Sequence, residues 1–173
     1  MNNFFNYNIR IALDIDEVLA DFIGGYKKHM GITDKVTNFN FSYATGEIVK
    51  NLPDSFWLSL KPKIKPSDIN FLPIAYVSKR HFDENITKTW IETHGFPCLP
   101  IYHIKEGSKI HKVLELDVDY FVDDHILNYQ ELTSVGIKTF LMDCEHNKQF
   151  DVGSDRLYDI KELVDRINKQ INK

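Results

Sequence analysis

Cysteine is scarce in this chain: Cys98 and Cys144 are the only two among 173 residues, and neither belongs to a CxxC pair. A chain of this length can bury a sizeable apolar core without disulfide staples, so both are read as reduced thiols. Cys144 and His146 could ligate a metal, but no second such pair stands at ligand spacing among the seven histidines, which argues against zinc. Long apolar runs are missing too. No stretch approaches the roughly 20 residues of a membrane span, and residues 1–7 have neither the basic region nor the apolar core of a secretory signal. A cytoplasmic protein without a membrane partner is therefore expected. An excess of positive charge is also absent. The 21 Lys and Arg are dispersed against 25 Asp and Glu, for a net charge of -4, which makes a nucleic-acid backbone a poor main partner. There are no internal repeats and no low-complexity segments, and a 43% hydrophobic share argues against disorder.

What is present is organised around residues 9–22, an apolar run that ends in Asp14, Asp16, Glu17 and Asp21. Ile9 and Ile11 are β-branched, and no Gly or Pro interrupts the run to Leu13, which predicts a buried strand. An extended backbone would point Asp14 and Asp16 the same way. Two ionised carboxylates a few Å apart repel by roughly 4 kcal/mol at an effective dielectric near 20, a cost that a bound cation removes.

Further along, residues 21–31 predict a short helix ending at Gly31, with Gly24 and Gly25 inside it. Residues 32–60 carry Phe39, Phe41, Tyr43, Phe56 and Trp57 and are too long for a plain loop, so they predict a helical insertion over the carboxylates. Ser42 is placed to cap a helix through about Leu52, and Pro53 to start another. Strands are expected at residues 72–77, 100–104, 119–125 and 137–142. Helices are expected at residues 84–94, after Gly107-Ser108-Lys109, at 126–133 and at 160–171, the last with Asp159 and Glu162 as a capping box. Alternation at this spacing predicts an α/β fold, a doubly wound Rossmann-like parallel sheet of about five strands with helices on both faces. The expected boundaries are a core of residues 1–21 and 61–173 and a small helical cap of residues 22–60.

Ligands of such sheets bind outside the carboxyl ends of the strands. Four polar clusters fall there in order: Asp14 with Asp16, Ser78, Lys109 at a helix start, and Asp123 with Asp124. Carboxylates suit Mg²⁺, and a hydroxyl with an ammonium suits a phosphate.

These clusters, in this order, resemble the four motifs of the haloacid dehalogenase superfamily of phosphatases. The extended first motif, Asp14-Ile15-Asp16-Glu17-Val18-Leu19-Ala20-Asp21-Phe22, resembles that of the 5'(3')-deoxyribonucleotidases and their bacterial and phage relatives, and residues 56–62 resemble the end of their cap. The resemblance spans residues 9–143. It implies Mg²⁺ held by Asp14, the Asp16 carbonyl and Asp124, with Asp123 bound through water or behind the ligands. It also implies Asp14 as nucleophile, Asp16 as acid and base, Ser78 and Lys109 on the phosphoryl group, and Phe22 stacked on base or sugar. Glu17 stands where many members have Gly, and Lys79-Arg80 follows Ser78 where the mammalian enzymes have Ser-Pro. Lys105 and Lys112 compete with Lys109. A receiver domain uses similar groups, but there the acidic pair comes early and the lysine last.

The expected function is Mg²⁺-dependent hydrolysis of a small phosphate, most readily a 5'(3')-(deoxy)ribonucleoside monophosphate, through an aspartyl phosphate, by a monomer or homodimer. Two alternatives are a polynucleotide 5'- or 3'-end phosphatase with Lys61, Lys63, Lys65, Lys79 and Arg80 as a basic entrance, and a catalytically silent nucleotide-binding protein of the same fold.

Overall fold

The computed structural model describes residues 9–33 and 46–171. Phe39, Phe41, Ser42 and Tyr43 lie outside the described residues, as do residues 1–7. In chain order the elements are β1 (Ile11–Leu13), α1 (Phe22–Met30), α2 (Gly46–Lys50), α3 (Asp54–Leu58), β2 (Ala75–Ser78), α4 (Glu84–Thr93), β3 (Ile101–His103), α5 (Ile110–Glu115), β4 (Tyr120–Asp123), α6 (Ile126–Ser134), β5 (Lys138–Met142), β6 (Arg156–Leu157) and α7 (Leu163–Ile171). The six strands form one all-parallel sheet in the order β3-β2-β1-β4-β5-β6. None of the described helices is long and apolar enough to cross a membrane.

The central strands β1, β2 and β4 are apolar up to their carboxyl ends because both faces of the sheet are covered there. Ile11 and Leu13 of β1, Tyr76 of β2 and Tyr120 and Val122 of β4 pack on one side, with Trp90 and Ile91 of α4 and Leu163 and Ile167 of α7. Ala12, Val77 and Phe121, the residues between them, pack on the other side with Val113 of α5 and Leu132 of α6. Period-two alternation thus feeds two cores, and the fold is the doubly wound, Rossmann-like arrangement that the alternating pattern predicts. Leu163, Val164 and Ile167 are buried along the closing helix as one stripe, with Ile160 buried in the 3₁₀ turn just before it. Its start differs from the expected capping box. Asp159 caps the backbone N–H of Lys161, but Glu162 turns to Arg166 instead (3.0 Å).

The sheet has one strand more than expected. Arg156 and Leu157 pair with Leu141 and Met142 of β5, and two residues are too few to carry a periodic signal. The second strand also starts later than residue 72. Leu72 is exposed and Pro73 has no N–H to give to a ladder. Asp21 caps α1 by accepting from the Gly24 N–H (2.9 Å), and Gly31 ends it at φ +67°.

The two glycines inside α1 follow from close packing. A Cβ on Gly24 would meet the capping carboxylate of Asp21, and one on Gly25 would sit 2.4 Å from Cδ2 of the buried Leu60. Gly25→Ala is expected to lower stability by about 1–3 kcal/mol through overpacking, in spite of its better helix propensity. Urea denaturation should also show a smaller loss in a Leu60→Val background.

Candidate functional site

The strand order reverses direction about the β1–β4 pair, since β2 and β3 lie to one side of β1 and β5 and β6 beyond β4. Such a switch point leaves a crevice at the carboxyl ends of the two strands. β1 and β4 deliver Asp14, Asp123 and Asp124 there. Leu13 is in register with Val122, and the Asp14 N–H donates to the Val122 carbonyl (2.9 Å), continuing the ladder one residue past the strand.

All three carboxylates are buried. One ammonium serves two of them: Lys109 Nζ lies 2.8 Å from Asp14 Oδ2 and 2.7 Å from Asp123 Oδ2. Asp14 Oδ1 also accepts from the Ile15 N–H (2.7 Å), and Asp123 accepts from the His125 N–H (2.8 Å) and from Asn128 Nδ2 (3.1 Å). Asp124 is held by its backbone. Its carbonyl accepts from Asn147 Nδ2 (2.7 Å) and faces His146 Nε2 at 3.1 Å. Its Oδ2 is 3.0 Å from the same ring nitrogen, yet makes no well-formed hydrogen bond. Burial pulls His146 down to about 4, so the ring is neutral near pH 7 and this contact is not an ion pair.

Oxygens of Asp14, Asp123 and Asp124 lie within 4.8 Å of one another. Burial, only partly countered by Lys109, pushes Asp14 up to about 6, with Asp123 and Asp16 adding to the rise. Burial and then Asp123 and Asp14 push Asp124 well above the usual carboxylate range. Burial opposes the charge on Lys109, but Asp123 and Asp14 more than offset it and hold the ammonium above the ordinary lysine range. Three carboxylates against one lysine leave a deficit of positive charge. An all-oxygen donor set with an unsatisfied buried Asp124 oxygen fits a hard divalent cation.

A second cluster overlaps the first: ligand atoms of Asp124, Cys144 and His146 also lie within 4.8 Å of one another. Sequence spacing placed Cys144 near His146 but not Asp124 beside them. Burial pushes the Cys144 thiol far up, and Sγ already donates to the Glu17 carbonyl (3.7 Å), so the thiolate that a metal needs is disfavoured.

Asp14 and Asp16 do not lie on one unbroken strand. β1 stops at Leu13, the chain bends at Ile15, and Glu17 takes φ +60°, a left-handed conformation that favours glycine. This is the position where the resembled family often has Gly. Glu17 is held there by its own side chain, which accepts from the Ile23 N–H (2.7 Å) and pairs with Lys63 (2.5 Å). Past the bend Asp16 pairs with Arg80, whose Nη2 and Nε lie 2.6 and 3.0 Å from its two oxygens.

Ser78 is buried at the end of β2, beside β1. Lys105 is exposed, and Lys112 pairs with Glu115 on its own helix (2.6 Å), so of the three lysines only Lys109 meets the carboxylates. Phe22 sits in an aromatic cluster, stacked on Trp57 (5.6 Å between centroids) and Tyr26 (5.8 Å) with Phe56 at its edge, and is only 8% exposed. That environment is core packing rather than an open stacking face. Of the five cations considered for a basic entrance, Arg80 is buried on Asp16 and Lys63 is tied to Glu17. Lys61, Lys65 and Lys79 remain exposed.

Lys109→Met should destabilise the metal-free protein by about 3 kcal/mol, because two buried carboxylates lose their cation. Lys112→Met should stay within about 0.5 kcal/mol of wild type in the same urea titration.

No protein-family model matches the chain. A stretch of 65 residues, 36% of this chain, is 32% identical to a protein of Oceanobacillus iheyensis that is provisionally named a nucleotidase. The stretch spans 35% of that relative, about a third of its length.

Proposed function

We propose that the protein is a Mg²⁺-dependent phosphomonoesterase of the haloacid dehalogenase type that acts on a small phosphate, a nucleoside monophosphate being the favoured substrate. The observation that carries this reading is the meeting of Asp14, Asp123 and Asp124 around Lys109 at the switch point of a parallel sheet. The partial similarity to a protein named a nucleotidase points to the same substrate class.

In this reading Asp14, Asp124 and the carbonyl of Asp16 hold Mg²⁺, and Asp123 supports them through Lys109 and Asn128. A bound divalent cation neutralises the carboxylates and the phosphoryl oxygens. The chain's own groups do the rest. The Asp14 carboxylate, aimed by the Ile15 N–H and Lys109, attacks phosphorus while the ester P–O bond breaks and the leaving oxygen takes a proton from Asp16. Water then gives its proton to Asp16 as its oxygen attacks phosphorus, which releases inorganic phosphate and restores Asp14. Ser78 and Lys109 stabilise charge on the transferring group. Residues 22–60 act as a cap that favours small substrates, in keeping with Trp57 of α3 packing on Arg80 (5.3 Å to the ring centroid) beside Asp16.

The test is phosphate release from nucleoside monophosphates, sugar phosphates and phosphorylated oligonucleotides, with Mg²⁺ or EDTA. Turnover should need Mg²⁺, favour mononucleotides and fall to background in Asp14→Asn. Absence of turnover on every substrate, or equal rates on long oligonucleotides, would count against the reading. Asp124→Asn should raise the melting temperature of the metal-free protein by about 2–4 °C, since a buried, unsatisfied carboxylate is removed. The Mg²⁺-induced rise in melting temperature should vanish in that variant. Asn147→Ala should weaken Mg²⁺ binding by about 10- to 100-fold, since Asn147 holds the Asp124 backbone.

A further inference from the structure

Arg80 is built into the structure more tightly than a surface cation. Its side chain is 2% exposed while that of its partner Asp16 is 20% exposed, so the pair is reached from the carboxylate side. All three guanidinium nitrogens donate. Nε and Nη2 grip the two oxygens of Asp16, and Nη1 donates to Thr87 Oγ1 (2.7 Å). Trp57 and Phe82 lie 5.3 and 5.4 Å from its carbon.

The hydrogen bonds behind Arg80 run in one direction. His103 Nδ1 faces the Phe82 carbonyl (3.0 Å), which can only accept, so that nitrogen carries the hydrogen. Burial holds His103 below its usual range, so its Nε2 is a bare acceptor near pH 7. Thr87 Oγ1, 2.9 Å away, donates to it and turns its lone pairs to Arg80. The chain from Phe82 to Asp16 is therefore fully satisfied and fixes the plane of the guanidinium. A fork held in one plane fixes the carboxylate it grips, and each Asp16 oxygen keeps one acceptor position free.

We infer that Arg80, braced by Thr87 and His103, is the positioning residue for Asp16. The inference rests on the aspartyl-phosphate reading above. In that reading Asp16 serves two atoms in turn, the leaving oxygen and then the attacking water, and a mobile carboxylate would serve neither. Arg80 itself touches neither the phosphoryl group nor the acidic cluster in this role.

The experiment separates the two half-reactions by leaving group. A nitrophenolate leaves without needing a proton, whereas the alkoxide of a nucleoside monophosphate does not. Wild type, Arg80→Met, Arg80→Lys and Thr87→Val are compared on p-nitrophenyl phosphate and a nucleoside monophosphate in rapid mixing with Mg²⁺. Steady-state turnover of the nucleotide should fall about 100-fold or more in Arg80→Met. The first equivalent of nitrophenolate should appear within about tenfold of the wild-type rate, as a burst followed by slow decay of the phosphoenzyme. Arg80→Lys and Thr87→Val should show the same pattern more weakly, and they carry the test if Arg80→Met does not fold. Added guanidinium ion should restore part of the nucleotide turnover in Arg80→Ala.

Thermal melts of the metal-free protein give a readout without turnover: Arg80→Met and Asp16→Asn should combine non-additively. An additive result, or equal slowing of burst and nucleotide turnover in folded variants, overturns the inference and leaves the phosphatase reading standing. A wild-type protein with no Mg²⁺-dependent release on either substrate overturns both.

Discussion

Three buried carboxylates and one buried ammonium meet where the strand order of the sheet reverses, and much of the local architecture answers that concentration of like charge. Backbone N–H groups, Asn128 and Lys109 satisfy Asp14 and Asp123, while Asp124 is fixed through its carbonyl and keeps an unsatisfied oxygen. Burial works against ionisation here, as the upward shifts of Asp14 and Asp124 show. A fold that spends stability in this way holds a site ready for positive charge.

Two charged pairs tie the loop after β1 to other parts of the chain. Glu17 reaches Lys63, on the segment returning from the helices between β1 and β2, and so stabilises its own left-handed backbone. Asp16 reaches Arg80 at the end of β2, over which Trp57 from α3 packs. The turn carrying the acidic motif is thus pinned from both sides, and the inserted helices touch one of the pins. Neither pair is a surface ion pair of negligible worth. Glu17 and Arg80 are almost fully buried, so each depends on its partner.

Much of the fold was legible because it rests on local patterns. The apolar runs of β1, β4 and β5, the Gly31 stop of α1, and the stripe of the last helix each declare themselves within a dozen residues. β6 was not legible, since a two-residue strand exists only through its pairing with β5. The glycines of α1 were readable as a weakness, but their reason, the approach of Asp21 and Leu60, needed the neighbours in place.

By itself the sequence determined the alternation of strands and helices, and with it the parallel sheet and the placing of Asp14, Ser78 and the Asp123-Asp124 pair at strand ends. Periodicity and strand termini are properties of neighbouring residues, so no folded neighbour is needed to see them. Only the tertiary structure decided which lysine meets the carboxylates, that Asp16 pairs with Arg80, and that Asp124 stands beside Cys144 and His146. Those facts depend on a bend of a few residues and on side chains far apart in sequence. The bend after β1 takes Asp16 off the strand, and no pattern of residue types along the chain encodes that its carboxylate meets Arg80.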